Sequence, residues 1–469
     1  MNKILAIFIF SAFFGISHSQ DAAISFSLQE AIDFALENNR AVKNAARDIE
    51  AAEKQKWETI ATGLPQIDAS INYQNFLKQQ VSIIPNSAFD NRQGIIDTVE
   101  EFFNLTANGS PDALEGFSEV IFGTKQNVNA SARLNQLIFD GSYIVGLQSS
   151  KVFLEISKNA KEKTDLEVRQ NVINAYGNVL LAEESENILT RNRNTLLSNL
   201  EETTKIFENG LEEEESVEQL QITLSGIESA LKNATRLKLI AYQMFNIAIG
   251  IDLNTDTTLT DTLENLTLSN ISLELLNAKE NIENNIDYKI AENDKVSNEL
   301  LVKLEKSRAL PTVTGYLDGG YLGFSDSFTF FDREQNWAGF SSFGLSLNIP
   351  IFSSFGRAAR TQRAQINLEK SKEDLIDIAQ QLRLQIATAK SNYQFSIEDY
   401  EIQKENLRLA ERIEKKNETK FFEGVGSSFE LRQAQTQLYD AQERYLRAML
   451  QVINDKTELE TVLNEIPQN

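Results

Sequence analysis

The stretch LPQIDASINYQNF occupies Leu64–Phe76, and a related stretch, LPTVTGYLDGGYLGF, occupies Leu310–Phe324. Each begins with a leucine-proline step and passes at once into alternation. In the first, Ile67, Ala69, Ile71 and Tyr73 fall on one side, and Gln66, Asp68, Ser70 and Asn72 on the other. A period of two with one apolar side predicts a β-strand with one buried or lipid-facing surface. Pro65 and Pro311 are 246 residues apart, and the ENN triplets beginning at Glu37 and Glu283 keep that spacing. The segment SLQEAIDFALENN from Ser27 accordingly resembles SLELLNAKENIENN from Ser272.

Further along, LNQLIFDGS from Leu134 matches LNIPIFSSFG from Leu347, and KIFENGL near Phe207 matches KFFEGVG near Phe421. The spacing has dropped to 213 and 214 residues, so the first half carries an insertion of 33 between the two blocks. The chain reads as a tandem duplication. Residues 20–260 form the first repeat, with a long loop insertion at about 77–126, and residues 261–469 form the second. The joint is the Asp/Thr/Asn-rich stretch from Asp252 to Asn270. Each repeat has the order helix, strand, loop, strand, long helix, turn, helix. The second strand of the first repeat sets Val128, Ala130, Ala132 and Leu134 against Asn127, Asn129, Ser131 and Arg133. The last strand of the chain places Trp337, Phe343, Leu345, Leu347 and Ile349 on one side.

The chain of 469 residues has only 6 prolines, and none lies between Pro111 and Pro311 or between Pro350 and Pro467. Proline breaks helix interiors, so those gaps are where long helices run. Helices are expected from about Gly141 to Glu208 and from Gly356 to Glu423, each on the order of 100 Å long at 1.5 Å per residue. Leu375, Ile378, Leu382, Ile386, Ala389, Tyr393, Ile397 and Tyr400 recur every three or four positions, the seam of a packed or coiled helix. Four alternating strands are too few to close a barrel, and open strand edges cannot face lipid. If the strands enter a membrane, several chains must pool them.

A net charge of -23 speaks against a nucleic-acid partner. Residues 1–19 read as a secretory signal: Lys3, an apolar run from Ile4 to Ile16, then the small residues Ser17 and Ser19 around His18, with the mature chain beginning at Gln20. The chain has no cysteine, and His18 is its only histidine. A mature chain without either residue cannot build a Ser-His-Asp or Cys-His nucleophile or the usual zinc sites, so neither an enzyme nor a cofactor is expected.

In the order of these features the chain resembles the TolC-like outer-membrane factors, the outer membrane efflux protein family. The resemblance extends over essentially the whole mature chain. Its more specific pieces are SLQEAIDFALENN with its downstream proline and FFEGVGSSFELRQAQTQLYDAQERYLRA from Phe421, similar to the family's hairpin turn at Phe422, Gly424, Gly426, Glu430, Leu431, Ala434 and Gln435. The resemblance implies a mainly α chain with a membrane β-barrel: a homotrimer in which four strands per chain build a 12-stranded barrel in outer-membrane lipid, and coiled helical hairpins build a periplasmic α-barrel. It implies docking with a periplasmic adaptor and an inner-membrane transporter, and a passive exit duct for efflux or type I secretion in a Gram-negative outer membrane.

Three groups of residues are the candidate sites. The hairpin tips Gly210, Leu211, Gly424, Val425 and Gly426 let the chain turn and, by resemblance, dock the adaptor. Glu212, Glu213, Glu214 and Glu215, with Glu430, are candidate aperture acids; the run equally suits a solvated helix start, where carboxylates favour the positive end of the helix dipole. Ser216 stands where Glu430 stands in the second hairpin, a departure from the pattern. Pro65, Gly141, Pro311, Pro350 and Gly356 mark the passages between helix and strand. Trp337, Phe343, Tyr73, Phe139 and Phe352 suit an interfacial aromatic girdle. The alternatives are a soluble secreted coiled-coil scaffold, which explains the helices but not four strands at matched places, and a carboxylate enzyme, for which no loop cluster around an acidic pair is visible.

Overall fold

The computed structural model describes residues 24–106, 109 and 111–464; the expected signal at 1–19, His18, Gln20 and Pro467 lie outside the described residues. The elements run β1 (Ile24–Phe26), α1 (Leu28–Asn38), α2 (Arg40–Ala61), β2 (Gln66–Asn75), β3 (Val81–Pro85), α3 (Arg92–Phe103), β4 (Phe117–Ile121), β5 (Gln126–Phe139), α4 (Gly141–Glu208), α5 (Glu214–Ile249), β6 (Thr257–Leu259), α6 (Leu263–Ser269), α7 (Leu273–Leu276), α8 (Ile286–Ser307), β7 (Thr312–Ser325), β8 (Trp337–Asn348), α9 (Gly356–Phe422) and α10 (Ser428–Leu463). α4 has 68 residues and α9 has 67, and α5 and α10 have 36 each.

The described chain divides into two compact units: a helical unit of residues 24–56, 149–302 and 362–464, and a sheet unit of 57–148 and 303–361. In the helical unit the seam read on α9 is the core: Leu382, Ile386, Ala389, Tyr393 and Tyr400 are buried, while Leu375 and Ile378 are partly open. Ile386, Ala389, Tyr393 and Tyr400 join Val172, Tyr176, Phe245, Ile249, Val452, Ile453 and Leu459 in one cluster. Two of the buried tyrosines find hydrogen-bond partners, whereas the Tyr400 hydroxyl has none within the chain. The Tyr176 hydroxyl lies 2.6 Å from Asp261 Oδ2, and Tyr393 donates to the Asn270 carbonyl at 2.6 Å.

The last asparagine of each ENN triplet has a defined task. Asn39 Oδ1 accepts from the Ala41 N–H at 2.8 Å at the start of α2, and its Nδ2 donates to the Ala248 carbonyl at 2.8 Å. Asn285 Oδ1 accepts from the Asp287 N–H at 2.8 Å at the start of α8, and its Nδ2 donates to the Val462 carbonyl at 2.7 Å. One side chain thus caps a helix N-terminus and occupies a carbonyl orphaned at the end of another.

Two sequence expectations are corrected, and the joint between the repeats is found to be folded. The segment from Ser27 is an 11-residue helix, but its counterpart from Ser272 yields only the four residues of α7 and a short 3₁₀ turn at Ile282–Asn284. Ser27 forms a capping box with Glu30, whereas Leu275 stands three residues after Ser272 and no box can form. The joint at Asp252–Asn270 is folded: β6 pairs in parallel with β1, and α6 buries Leu263, Leu266 and Thr267. The stretch at 77–126, expected as a loop, holds an antiparallel β3–β4 pair and the helix α3.

In the sheet unit β2, β5, β7 and β8 form one antiparallel sheet in the order β2-β5-β7-β8, which leaves β2 and β8 as open edges.

Candidate functional site

Directly paired residues of an antiparallel sheet share a face, so the registers assign the two faces row by row. One face has the rows Ile67, Leu134, Leu317, Phe343; Ala69, Ala132, Gly319, Ser341; Ile71, Ala130, Tyr321, Gly339; and Tyr73, Val128, Gly323, Trp337. The other has Asp68, Arg133, Asp318, Ser342; Ser70, Ser131, Gly320, Phe340; and Asn72, Asn129, Leu322, Ala338. The apolar face is uncovered, with Ile71 78% and Phe343 73% exposed. The polar face is knit together: Arg133 pairs with Asp318 at 3.7 Å and lies over the Tyr316 ring, and Ser342 donates to Asp318 at 2.6 Å. β8 ends at Asn348, so Ile349, expected in that strand, lies just past it.

The helix-to-strand passages are alike. α2 ends four residues before Pro65 and α8 four before Pro311, and β2 and β7 begin on the next residue. The Leu64 and Leu310 N–H groups close the last turns on Ala61 and Ser307 at 3.0 and 2.9 Å, and the prolines cannot extend them. The return passages differ. Gly141 starts α4 where a side chain would meet Leu310, and Asp140 Oδ1 caps the helix from the Ser142 and Tyr143 N–H groups at 2.6 and 3.1 Å. Gly356 starts α9 with only the Arg360 guanidinium, 4.0 Å from where a β-carbon would stand, beside it and with no positive φ; the left-handed backbone falls on Ser354 and Phe355, at φ 47° and 63°. Arg357 steadies that turn by donating to the carbonyls of Pro350 and Ile351 at 2.8 and 3.1 Å. Of the girdle candidates, Phe139 closes β5, Phe352 stands in this turn beside Phe355, and Tyr73 and Trp337 lie toward the other end of the sheet.

In the helical unit the two hairpin tips share one geometry. Gly210 (φ 75°) donates to the Phe207 carbonyl at 2.8 Å while Leu211 donates to Ile206 at 3.1 Å; Gly424 (φ 73°) donates to Phe421 at 3.0 Å while Val425 donates to Lys420 at 2.9 Å. These are paired Schellman motifs, and their positive φ selects glycine. Gly426 passes so close to Lys420 that a β-carbon would meet its Cβ at 2.9 Å. Leu211 is 79% and Val425 74% exposed, so each tip presents an apolar side chain outward. Behind the tips, Ser216, Leu220, Phe421 and Leu431 line one crevice, which brings the two hairpins together.

The acids at the tips have unequal roles. Ser427 and Glu430 form a capping box at the start of α10, with Glu430 N–H to Ser427 Oγ at 3.2 Å and Ser427 N–H to Glu430 Oε2 at 3.3 Å. At the start of α5 the residue types are exchanged: Glu213 is the cap residue, and Ser216, three positions on, donates to Glu212 at 2.7 Å. Glu215 accepts from Gln219 at 2.7 Å. Glu213 and Glu214 are exposed. Buried polar side chains on these hairpins went unforeseen: Gln435, Asn199 and Thr203 are buried, with polar atoms that lack a hydrogen-bond partner within the chain.

Among the described residues no cluster could hold a metal ion, and no helix is long and apolar enough to cross a membrane. Residues 278–465 match the family model described as outer membrane efflux protein. Those residues are less than half of the chain, and over them it is similar to that family. That bears out the TolC-like resemblance, an outer-membrane address and a transport role in place of an enzymatic one. Solved structures share the fold. The outer membrane protein VceC of Vibrio cholerae is 14% identical with a TM-score of 0.68, the match covering 93% of this chain and 95% of that one. The CmeC outer membrane channel of Campylobacter jejuni is 17% identical with a TM-score of 0.68, covering 93% and 85%. The MtrE outer membrane channel of Neisseria gonorrhoeae, in its open state, is 16% identical with a TM-score of 0.65, covering 93% and 88%. No curated protein matches the sequence. The soluble-scaffold alternative finds no support.

Proposed function

We propose that this protein is the exit duct of a tripartite efflux or type I secretion system in a Gram-negative outer membrane. Small molecules or proteins pass through it, driven by an inner-membrane transporter that engages it through a periplasmic adaptor. The observation that carries the reading is the sheet: four strands, two open edges and an uncovered apolar face opposite a charged and hydrogen-bonded one. Lipid accepts apolar side chains but no unpaired edge, so the edges must be closed by other copies. Three chains would supply twelve strands, and the hairpins of two repeats, 20–260 and 261–469, would line the periplasmic passage.

The tips Gly210, Leu211, Gly424, Val425 and Gly426 form the adaptor's docking surface in this reading. Their exposed Leu211 and Val425 are the contact groups. The exposed Glu213 and Glu214, repeated three times around a narrow opening, concentrate negative potential and favour cations. Glu212, Glu215 and Glu430 are partly committed to hydrogen bonds and act more on the helix starts.

Membrane fractionation followed by native mass measurement in detergent tests the duct. A trimer in the outer membrane is the expected result; a soluble monomer or dimer overturns it.

A further inference from the structure

The described residues of the insertion at about 77–126 are folded, yet they turn apolar side chains outward. Its β3–β4 pair is locked in register from Val81 opposite Ile121 to Pro85 opposite Phe117. Asn86 joins the ends of the pair by donating to the Glu115 carbonyl at 2.9 Å and accepting from Ser118 Oγ at 2.5 Å. Asp90 grips the Arg92 guanidinium through both oxygens, at 2.8 and 2.7 Å, and Arg92 also donates to the Asp112 carbonyl. Despite this internal order Phe102 is 80% exposed, and Phe103, Phe117 and Phe122 are exposed too. Exposed apolar patches on a rigid element mark an interaction surface.

Topology says what covers it. In the sheet unit, β2 and β7 leave helix ends and β5 and β8 return to helix starts, so all four helix junctions lie at one end of the sheet. The insertion and the 326–336 loop between β7 and β8 lie together at the other end. The Lys125 N–H donates to Asp326 Oδ1 at 3.0 Å, and the Tyr73 ring meets Phe328 and Phe330 edge-on at 5.6 and 6.0 Å. That loop holds a second outward patch, with Phe331 90% exposed beside Phe328. The insertion follows β2, one open edge, and the loop precedes β8, the other. β2 runs away from the helix junctions and β8 runs toward them, so β2 of one copy pairs with β8 of the next in the antiparallel sense used throughout the sheet. Such pairing delivers the neighbour's Phe331 loop to the point where the insertion leaves β2. Acidic residues in the insertion outnumber basic ones seven to three, which disfavours an anionic lipid surface as the occupant.

We propose that the insertion is an intersubunit clasp at the outer end of the barrel, and that its occupant is the β7–β8 loop of a second copy of this chain. The inference rests on the shared-barrel reading. The cysteine-free sequence makes the test direct. Phe331→Cys is combined in turn with Phe102→Cys, Phe117→Cys and Phe122→Cys in the full-length protein, and membranes are oxidised and run without reductant. A reducible ladder up to the trimer for at least one pair, absent from each single variant, is the expected result. No ladder from any pair in a protein whose native mass is trimeric overturns the clasp while leaving the barrel reading intact. A monomeric native mass overturns both. As a second readout, Phe122→Trp should be insensitive to brominated lipid; strong quenching would assign the patch to lipid and overturn the clasp.

Discussion

At the scale of single residues, Asn285 shows how much one side chain can organise. It is buried and spans two helix ends, capping α8 with its carbonyl oxygen and tying down the end of α10 with its amide nitrogen. Asn285→Ala should cost about 2 kcal/mol, the sum of a lost cap and a stranded carbonyl. Asn285→Asp retains the cap oxygen but sets a carboxylate against the Val462 carbonyl, so it should also destabilise, most strongly above the carboxylate pKa; thermal melts of both variants at two pH values check this. Asp455 makes a second residue-scale case. Burial pushes its carboxyl above the usual carboxylate range, and the hydrogen bond donated by Gln451 at 2.7 Å only partly offsets that. A raised folded-state pKa means that stability is fullest below the unfolded pKa and falls as pH rises through the folded one. Asp455→Asn keeps an acceptor for Gln451, so it should raise the melting temperature near neutral pH and lose that advantage in acid. An equal shift at both pH values would refute the assignment.

At the scale of elements, the parts legible in the sequence were those set by local signals. Pro65 and Pro311 stop helices, Gly210 and Gly424 permit left-handed turns, and alternation sets the sheet faces; each acts within a few residues of itself. The parts that escaped depend on distant partners. β6 is three residues long and gains its identity from β1, more than two hundred residues earlier. The insertion's strands have five residues each and meet across a gap of 31 residues, 86–116. The acids at Glu212–Glu215 were legible as a helix start, but the exchange of serine and glutamate between the two hairpins appears only once Ser216 is seen on Glu212 and Ser427 on Glu430. The buried Gln435 on α10 was legible only as part of a family motif, not as an amide lacking a partner within its chain. An unsatisfied buried amide costs roughly 1–3 kcal/mol, so Gln435→Met, close in volume and apolar, should stabilise the protein by a similar amount. A melting temperature lowered by this substitution would show that another copy satisfies the amide in the assembly.

At the scale of the whole molecule, the two faces of the sheet make opposite demands on substitution. Ile71 and Asn72 are neighbours on β2, equally near an open edge, and the register sets them on opposite faces. Were the sheet a soluble layer awaiting a protein cover, a lysine at Ile71 would disturb one contact and leave the chain in solution. In a lipid-facing barrel, a lysine there is driven into hydrocarbon at a cost of about 2–4 kcal/mol, whereas a lysine at Asn72 enters water beside other polar groups. The same contrast holds on the opposite edge strand, where Phe343 belongs to the apolar rows and Ser342 hydrogen-bonds Asp318 on the polar face. Ile71→Lys and Phe343→Lys should therefore sharply reduce the yield of trimer in the outer membrane, and Asn72→Lys and Ser342→Lys should leave it near wild type. Asn72→Lys should also lower the cation preference of single-channel conductance, because three added positive charges line the passage. Equal yields from all four variants would remove the lipid-facing assignment, and with it the argument that this chain closes its sheet by pairing with copies of itself.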